Sequence, residues 1–306
     1  MSRGRPNHNS LQSGPSLPPP ARMIAIDIDG TLLPSTGGIV SERNSRALRA
    51  AQAADVAIVI ATGRRQAYAT PLLASVGLLP ETVLITSNGT VTRTLRGEAI
   101  DRFFLPLETA RALCPALRPF GATVFTFDRE GPGELVIESI AQLHDRIALW
   151  VESNRPWIRE VCPLERAFDA GEAPVQAMVC GGVAAMRDAE TWLAGSVFAP
   201  QTELHRTEYA ARDLTILDIL PPGCSKGAAL RRLAERSGIR REEIVAIGDN
   251  WNDLEMLESA GRPVVMANGA ADLLALARQR AWEIAPANDD DGVAQIVESV
   301  LTGSRV

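Results

Sequence analysis

The sequence has few cysteines, no long apolar segment and no excess of basic residues. Its four cysteines are widely spaced and form no CxxC pair, which argues against structural zinc or a disulfide framework and favours reduced thiols in a cytoplasmic protein. No apolar run reaches the roughly 18–20 residues that cross a bilayer, so we expect no membrane partner. The formal charge of -6 provides no basic footprint for phosphate backbones, so we expect no nucleic-acid partner.

The length and composition are those of a folded globular protein. A chain of 306 residues is long enough for about two domains. Its 46% hydrophobic and 22% charged residues are close to ordinary globular usage. Residues 1–22 differ, because they are rich in Ser, Pro and Gly and have little apolar surface to offset the entropy of ordering. We expect them to form a disordered tail.

The apolar pattern divides the remaining chain into three parts. In residues 23–90 and again in 222–306, short apolar runs alternate with helix-like segments, which is typical of a parallel sheet covered by helices on both faces. Residues 91–221 have a mixed α+β pattern, and turn-rich sequences lie at both of their ends. We therefore predict an α/β protein with a doubly wound, Rossmann-like core and an inserted α+β cap domain at 91–221. One continuous domain is the alternative.

Two carboxylates follow the first predicted strand. Asp27 and Asp29 lie in the sequence DIDGTL (residues 27–32), directly after an apolar run. In a doubly wound sheet, ligands bind at the carboxyl ends of the strands. One of these carboxylates can attack a substrate and coordinate a metal while the other exchanges a proton. The alternative is a turn in which Asp and Gly have only a structural role.

Polar turns follow the next two predicted strands. Thr62, Gly63 and Arg64 precede a helix, where a hydroxyl and unpaired backbone amides can bind phosphate oxygens. Asn88 lies in a Ser-Asn-Gly turn after the third strand and is a second candidate for substrate contact. The alternatives are an ordinary helix cap and a plain turn.

Two further segments lie in the C-terminal part. Lys226 begins a predicted helix, where its positive charge is unfavourable next to the helix dipole. Beside a phosphate it would neutralise charge and keep an Asp nucleophile ionised, whereas a lysine on a solvated surface is the alternative. Asp249, Asn252 and Asp253 follow another apolar strand. Such oxygen ligands suit Mg²⁺, whereas an acidic loop that only caps a helix is the alternative.

All of these segments fall at predicted strand ends or in the loops that follow, so they can converge on one crevice. Together they resemble the four motifs of the haloacid dehalogenase-like hydrolase superfamily. The long segment between the two sheet halves is similar to the insertion of the Cof-like (subfamily IIB) sugar-phosphatase branch. The sequence NDDDGV at residues 288–293 is similar to that branch's closing motif.

The resemblance implies a role for each candidate residue. Asp27 would attack phosphorus to form an aspartyl-phosphate, and Asp29 would act as acid and base. Mg²⁺ would be bound by Asp27, the backbone of Asp29 and Asp249, with Asp253 supporting the metal site. The remaining candidates would bind phosphate or substrate: Thr62, Gly63, Arg64, Asn88, Lys226 and Asn252.

The sequence thus predicts a Mg²⁺-dependent phosphatase that acts on a small phosphorylated metabolite such as a sugar phosphate, as a monomer or homodimer. A phosphomutase that retains a bisphosphate intermediate is one alternative. A non-catalytic phosphate-binding regulatory module is the other.

Overall fold

The structure, a computed structural model, describes residues 20–36, 38–143 and 147–304. Most of the predicted tail, residues 1–19, lies outside this range. Within it, no helix has the length and hydropathy needed to cross a membrane.

An eight-stranded sheet forms the larger part of the fold, which we call the core. Strands are numbered in chain order. From one edge to the other this sheet contains β14 (Glu283–Ala285), β13 (Arg262–Met266), β12 (Ile244–Gly248), β1 (Met23–Ile26), β2 (Ala57–Ala61), β3 (Val83–Thr86), β4 (Val91–Thr94) and β5 (Ala99–Arg102). The first six of these are mutually parallel, whereas β4 runs antiparallel to both β3 and β5.

In the part of the chain that the structure describes, six helices cover the two faces of this sheet. They are α1 (Glu42–Ala53), α2 (Gln66–Leu73), α6 (Lys226–Arg236), α7 (Leu254–Glu258), α8 (Ala271–Gln279) and α9 (Gly292–Thr302). Successive side chains of β1 point to opposite faces, so Ile24 and Ile26 pack with α1 and α9, while Met23 and Ala25 pack with α6 and α8. Burial on both faces explains why these strands are continuously apolar.

A six-stranded sheet forms the second part, which we call the cap. Its strands, in spatial order, are β10 (Glu203–Tyr209), β11 (Leu214–Leu220), β9 (Gln176–Gly181), β6 (Val124–Thr126), β7 (Leu135–Ile137) and β8 (Ile158–Glu160). Its α-helices are α3 (Leu107–Leu117), α4 (Ala148–Asn154) and α5 (Val183–Ala194). Helices α3 and α5 bury one face of the sheet through residues such as Phe125, Val179 and Leu217.

The predicted fold class is confirmed: a doubly wound α/β core carries a mixed α+β insertion. The predicted start of the insertion needs correction. We expected it to begin at residue 91, but residues 91–94 and 99–102 form strands β4 and β5 of the core sheet. A short hairpin that extends the sheet antiparallel has the same local pattern as an α+β segment, so the sequence did not separate them.

Candidate active site

The candidate residues meet where the parallel strands of the core end. Asp27 follows β1, Thr62 follows β2 and Asp249 follows β12, which are neighbours in the sheet. A cavity of about 440 Å³ opens between this edge and the cap, and Asp27, Asp29 and Arg64 contribute to its lining. The topology therefore brings together side chains that are far apart in sequence.

Lys226 is the central cation of the site. Its Nζ lies 2.7 Å from Oδ1 of Asp27 and 2.6 Å from Oδ1 of Asp253, and its side chain is fully buried. Ser225 holds it there by capping α6, since the Ser225 hydroxyl accepts the amide hydrogen of Ala228 at 2.8 Å. Of the 31 lysine and arginine residues in the chain, Lys226 is the one lysine.

Burial and charge shift the pKa values of this group. Burial raises the pKa of Asp27 to about 7, and the neighbouring Asp253 adds to the effect while Lys226 opposes it. Burial also raises the pKa of Asp249, reinforced by the charge of Asp27. For Lys226, burial lowers the pKa, but attraction to Asp253 and Asp27 outweighs it and raises the pKa overall. The site thus has more buried negative charge than its one lysine can neutralise.

The carboxylates form a cluster that suits a metal ion. Single oxygens of Asp27, Asp249 and Asp253 lie within 4.8 Å of one another, and all three residues are buried. Gly30 allows this approach: its φ is +74°, and a Cβ there would lie 2.8 Å from Cγ of Asp249. Three buried carboxylates beside a single ammonium group match the oxygen ligands and charge that Mg²⁺ prefers.

The three carboxylates are not equally open to a metal. Oδ2 of Asp253 accepts the amide hydrogens of Asp249 at 3.0 Å and Asn250 at 3.1 Å, while Oδ1 is bound to Lys226. Asp249 accepts one hydrogen bond, from the Thr31 hydroxyl at 3.0 Å. Asp27 and Asp249 therefore retain more free lone pairs than Asp253, which orients the loop.

Asp29 and Arg64 form an ion pair at the cavity. Arg64 Nε donates to Oδ2 of Asp29 at 2.6 Å, and Nη2 donates to Oδ1. The side chain of Asp29 is 40% exposed, whereas Asp27 is buried. The carboxylate of Asp29 contacts Arg64 and is not one of the three clustered carboxylates. Arg64, predicted to bind phosphate, has Asp29 as its partner in this structure.

The loop after β2 forms one wall of the site. The Thr62 hydroxyl is buried and accepts the Arg64 amide hydrogen at 3.1 Å. Gly63 lines the cavity, and a Cβ at this position would lie 3.1 Å from Oδ1 of Asn88. The absence of a side chain at Gly63 thus lets the Asn88 side chain pass close behind the loop.

Asn88 and Asn252, both predicted to contact phosphate or substrate, contact each other. Nδ2 of Asn252 donates to Oδ1 of Asn88 at 3.2 Å, and Nδ2 of Asn88 donates to Oδ2 of Asp218 at 2.8 Å. Asn88 is fully buried, and both polar atoms of its side chain have protein partners. These contacts connect the acidic loop of the core to strand β11 of the cap.

The sequence reasoning missed two cap contacts. Asp218 is the one acid in strand β11, and a lone acid in a strand of mostly apolar residues is a signal that the sequence contains. Arg65 is buried and bonded to Glu134 and, at 2.7 Å, to Oδ1 of Asn154, both in the cap. Its guanidinium also lies 4.4 Å from the ring centroid of Trp157. Arg65 directly follows Thr62, Gly63 and Arg64, so the turn that carries these candidate phosphate-binding residues also holds the cap through Arg65.

Comparisons with known proteins bear on the family of the chain and on its fold. A family model described as haloacid dehalogenase-like hydrolase matches residues 24–297. The chain is 27% identical to 5-amino-6-(5-phospho-D-ribitylamino)uracil phosphatase YwtE of Bacillus subtilis, over 92% of this chain and 99% of YwtE. It is 29% identical to the HMP-PP phosphatase of Escherichia coli, over 83% of this chain and 87% of that protein. The solved structure of the subclass IIB sugar phosphatase BT4131 superimposes with a TM-score of 0.73 at 22% identity, covering 91% of this chain and 98% of that one.

Proposed function

The chain belongs to the haloacid dehalogenase-like hydrolase family, and we propose that it is a Mg²⁺-dependent phosphatase acting on a small phosphorylated metabolite. The observation that carries the proposal is the contact of Lys226 with Asp27 and Asp253. Asp249 lies in the same carboxylate cluster, and Asp29 follows Asp27 by two positions. The names of the two curated relatives support a phosphorylated metabolite as substrate. A sugar phosphate, a cytoplasmic location, a monomer or homodimer and a separate cap domain remain predictions.

In the proposed reaction, an oxygen of Asp27 attacks phosphorus, and the bond between phosphorus and the leaving oxygen breaks. Lys226 holds Asp27 by its other oxygen and favours its charged form, which the attack requires. Water then attacks phosphorus of the aspartyl-phosphate, which releases inorganic phosphate and restores Asp27. Because the nucleophile is buried, the intermediate forms away from bulk solvent.

Asp29 is the proposed acid and base. It would give a proton to the departing alkoxide and take one from the attacking water. Its position on the cavity and its partial exposure support this role. Its ion pair with Arg64 orients the carboxylate, and Arg64 has its own access to the cavity, where it can bind a phosphate oxygen instead.

Mg²⁺ would be held by Asp27, the backbone carbonyl of Asp29 and Asp249, with Asp253 orienting the loop through its amide contacts. When bound, the ion neutralises charge on the carboxylates and the phosphoryl group. Thr62, Gly63 and Lys226 are the proposed phosphate-binding groups. Asn252 lines the cavity and stays a proposed substrate contact, whereas Asn88, both of whose polar side-chain atoms have protein partners, is proposed to position it.

The test is phosphate release from a panel of sugar phosphates, nucleotides, pyridoxal phosphate and acetyl phosphate, with Mg²⁺ or with excess chelator. Asp27→Asn removes the nucleophile with little change in volume, and Asp188→Asn, an exposed position in α5, is the matched control. Release that requires Mg²⁺, persists in Asp188→Asn and is lost in Asp27→Asn would support the proposal. Equal release by Asp27→Asn would overturn the assignment of the nucleophile. If folded wild type releases no phosphate from any compound, the proposed phosphatase function is wrong. An assay for isomerisation of a sugar phosphate with a bisphosphate primer would then test the phosphomutase alternative.

A further inference from the structure

Strand β10 lies at one edge of the cap sheet, and the acidic loop of the core (residues 249–253) holds its outer side. Within the sheet, β10 pairs with β11 alone. On the other side, the Glu208 amide donates to Oδ1 of Asn250 at 3.2 Å, and Nδ2 of Asn250 donates to the Glu208 carbonyl at 3.2 Å. The buried side chain of Asn250 thus takes the place of a neighbouring strand for one residue of this edge.

A second contact joins β10 to the same loop. The Arg206 guanidinium lies 5.9 Å from the ring centroid of Trp251. Arg206 and Glu208 also form ion pairs with side chains of α5. Because alternate residues of a strand face opposite sides, Thr207 and Tyr209 face the other way, and both line the cavity. The docking of β10 therefore sets the position of Tyr209 relative to the acidic loop.

Tyr209 presents its hydroxyl to the cavity beside the carboxylates. Within the described part of the chain this hydroxyl has no hydrogen-bond partner, and it is not one of the fully enclosed unpartnered atoms, so it is open to the cavity. Burial raises the pKa of Tyr209, and the charges of Asp29, Asp249 and Asp27 add to the effect while Lys226 opposes it. The phenol thus stays protonated near neutral pH and can donate a hydrogen bond. The carboxylate that acts on it most strongly is Asp29.

We propose that Tyr209 is a catalytic residue contributed by the cap: its hydroxyl donates a hydrogen bond to the oxygen that leaves phosphorus, and Asn250 is the positioning residue that holds it there. This inference rests on the proposed phosphatase function. As the bond to phosphorus breaks, negative charge builds on the departing oxygen, and a donor aimed at that oxygen stabilises it. The proton itself still comes from Asp29, so Tyr209 ends the step unchanged.

The test compares leaving groups by kcat/KM in saturating Mg²⁺. Glucose 6-phosphate, AMP and pyridoxal phosphate each lose a strongly basic alkoxide, and the ester that wild type hydrolyses fastest is used. Acetyl phosphate loses a weakly basic carboxylate, which needs little stabilisation. Tyr209→Phe keeps the ring and removes the hydroxyl, so it should lower kcat/KM for the ester by about 100-fold and for acetyl phosphate by much less. Thr191→Val removes an exposed hydroxyl of α5 outside the cavity lining and should leave both values unchanged.

The positioning role of Asn250 is tested by coupling. Asn250→Ala leaves two backbone groups of Glu208 without their partners, so it should show the same dependence on the leaving group as Tyr209→Phe. The double variant should lose little more than Asn250→Ala alone, because the hydroxyl is already displaced. A merely structural role would lower kcat/KM equally for the ester and for acetyl phosphate. Losses that add in full would refute the positioning role.

The outcomes separate this inference from the proposed function. If folded wild type hydrolyses none of the probes, the phosphatase function is wrong. If wild type is active but folded Tyr209→Phe loses nothing, or loses equally on the ester and on acetyl phosphate, the phosphatase stands and the role of Tyr209 is wrong. Wild type that hydrolyses acetyl phosphate but no ester also refutes that role, since no basic leaving oxygen is then stabilised. If Asn250→Ala does not fold, Tyr209→Phe decides alone.

Discussion

Replacing Lys226 with Met would leave the buried acidic cluster without its cation. Lys226 is fully buried, and its Nζ lies within 2.7 Å of Asp27 and Asp253. Two unit charges 4.8 Å apart, the outer limit of the carboxylate cluster, repel by about 3.5 kcal/mol at an effective dielectric constant of about 20. Removing one partner of a buried ion pair costs about 3–5 kcal/mol. We therefore expect Lys226→Met to lower the free energy of unfolding by about 3–5 kcal/mol in metal-free buffer.

Urea titrations in excess chelator measure this loss, and Arg231→Met provides the control. Arg231 lies in the same helix, but its pair with Glu255 is about half exposed, so its loss should stay below about 1 kcal/mol. Adding Asp253→Asn to Lys226→Met removes one of the repelling charges and should recover part of the stability. A loss below about 1 kcal/mol for Lys226→Met would refute the reasoning. Because Lys226 is the one lysine of the chain, selective ¹⁵Nζ-lysine labelling gives a single side-chain signal that reports its ion pairs directly.

Three further predictions concern Gly30, Asp218 and Arg65. Gly30→Ala would strain a residue with φ of +74° and displace Asp249, so Mg²⁺ titrations of activity should show weaker affinity; an unchanged curve would contradict this contact. Burial raises the pKa of Asp218 to about 7, so the folded state keeps a proton that the unfolded chain loses near about pH 4. The free energy of unfolding should therefore fall as pH rises from about 4 through 7, more steeply in wild type than in Asp218→Asn. Urea titrations that give the same pH dependence for both proteins would contradict this prediction. Arg65→Met leaves Glu134 buried without its cation and should cost about 3–5 kcal/mol by the same urea titration, whereas a loss like that of an exposed pair would show that the contact is weak.

The sequence predicted where the site lies better than how its side chains pair. Strand ends are visible as apolar runs followed by polar turns, so Asp27, Thr62 and Asp249 could be assigned to one edge of the sheet. The single lysine is another signal that composition contains, because a buried ammonium between two carboxylates cannot be replaced by the larger, planar guanidinium without rearrangement.

Contacts between core and cap could not be predicted in this way. Asn88 meets Asp218 across 130 positions of the chain, and Arg65 meets Glu134 across 69. Such pairs depend on how the cap docks, for which spacing and periodicity give no information. The ion pair between Arg64 and Asp29 could not be predicted either, since only the folded loops show which side chains lie close together. The contact of Arg64 with phosphate stays a prediction.

The order of the strands has a consequence for synthesis on the ribosome. Strand β1 lies at the centre of the core sheet, and Met23 pairs with Ala57 on one side but with Ile244 on the other. While the chain emerges, β1 can pair with β2 early, but its other edge stays open until the whole cap has been made. An open apolar edge is prone to aggregation. The last strand of the cap sheet ends at Leu220, so the cap sheet can form before β12 completes the core sheet. Nascent chains that end before β12 should therefore have a folded cap, a chaperone-dependent core edge and no assembled active site.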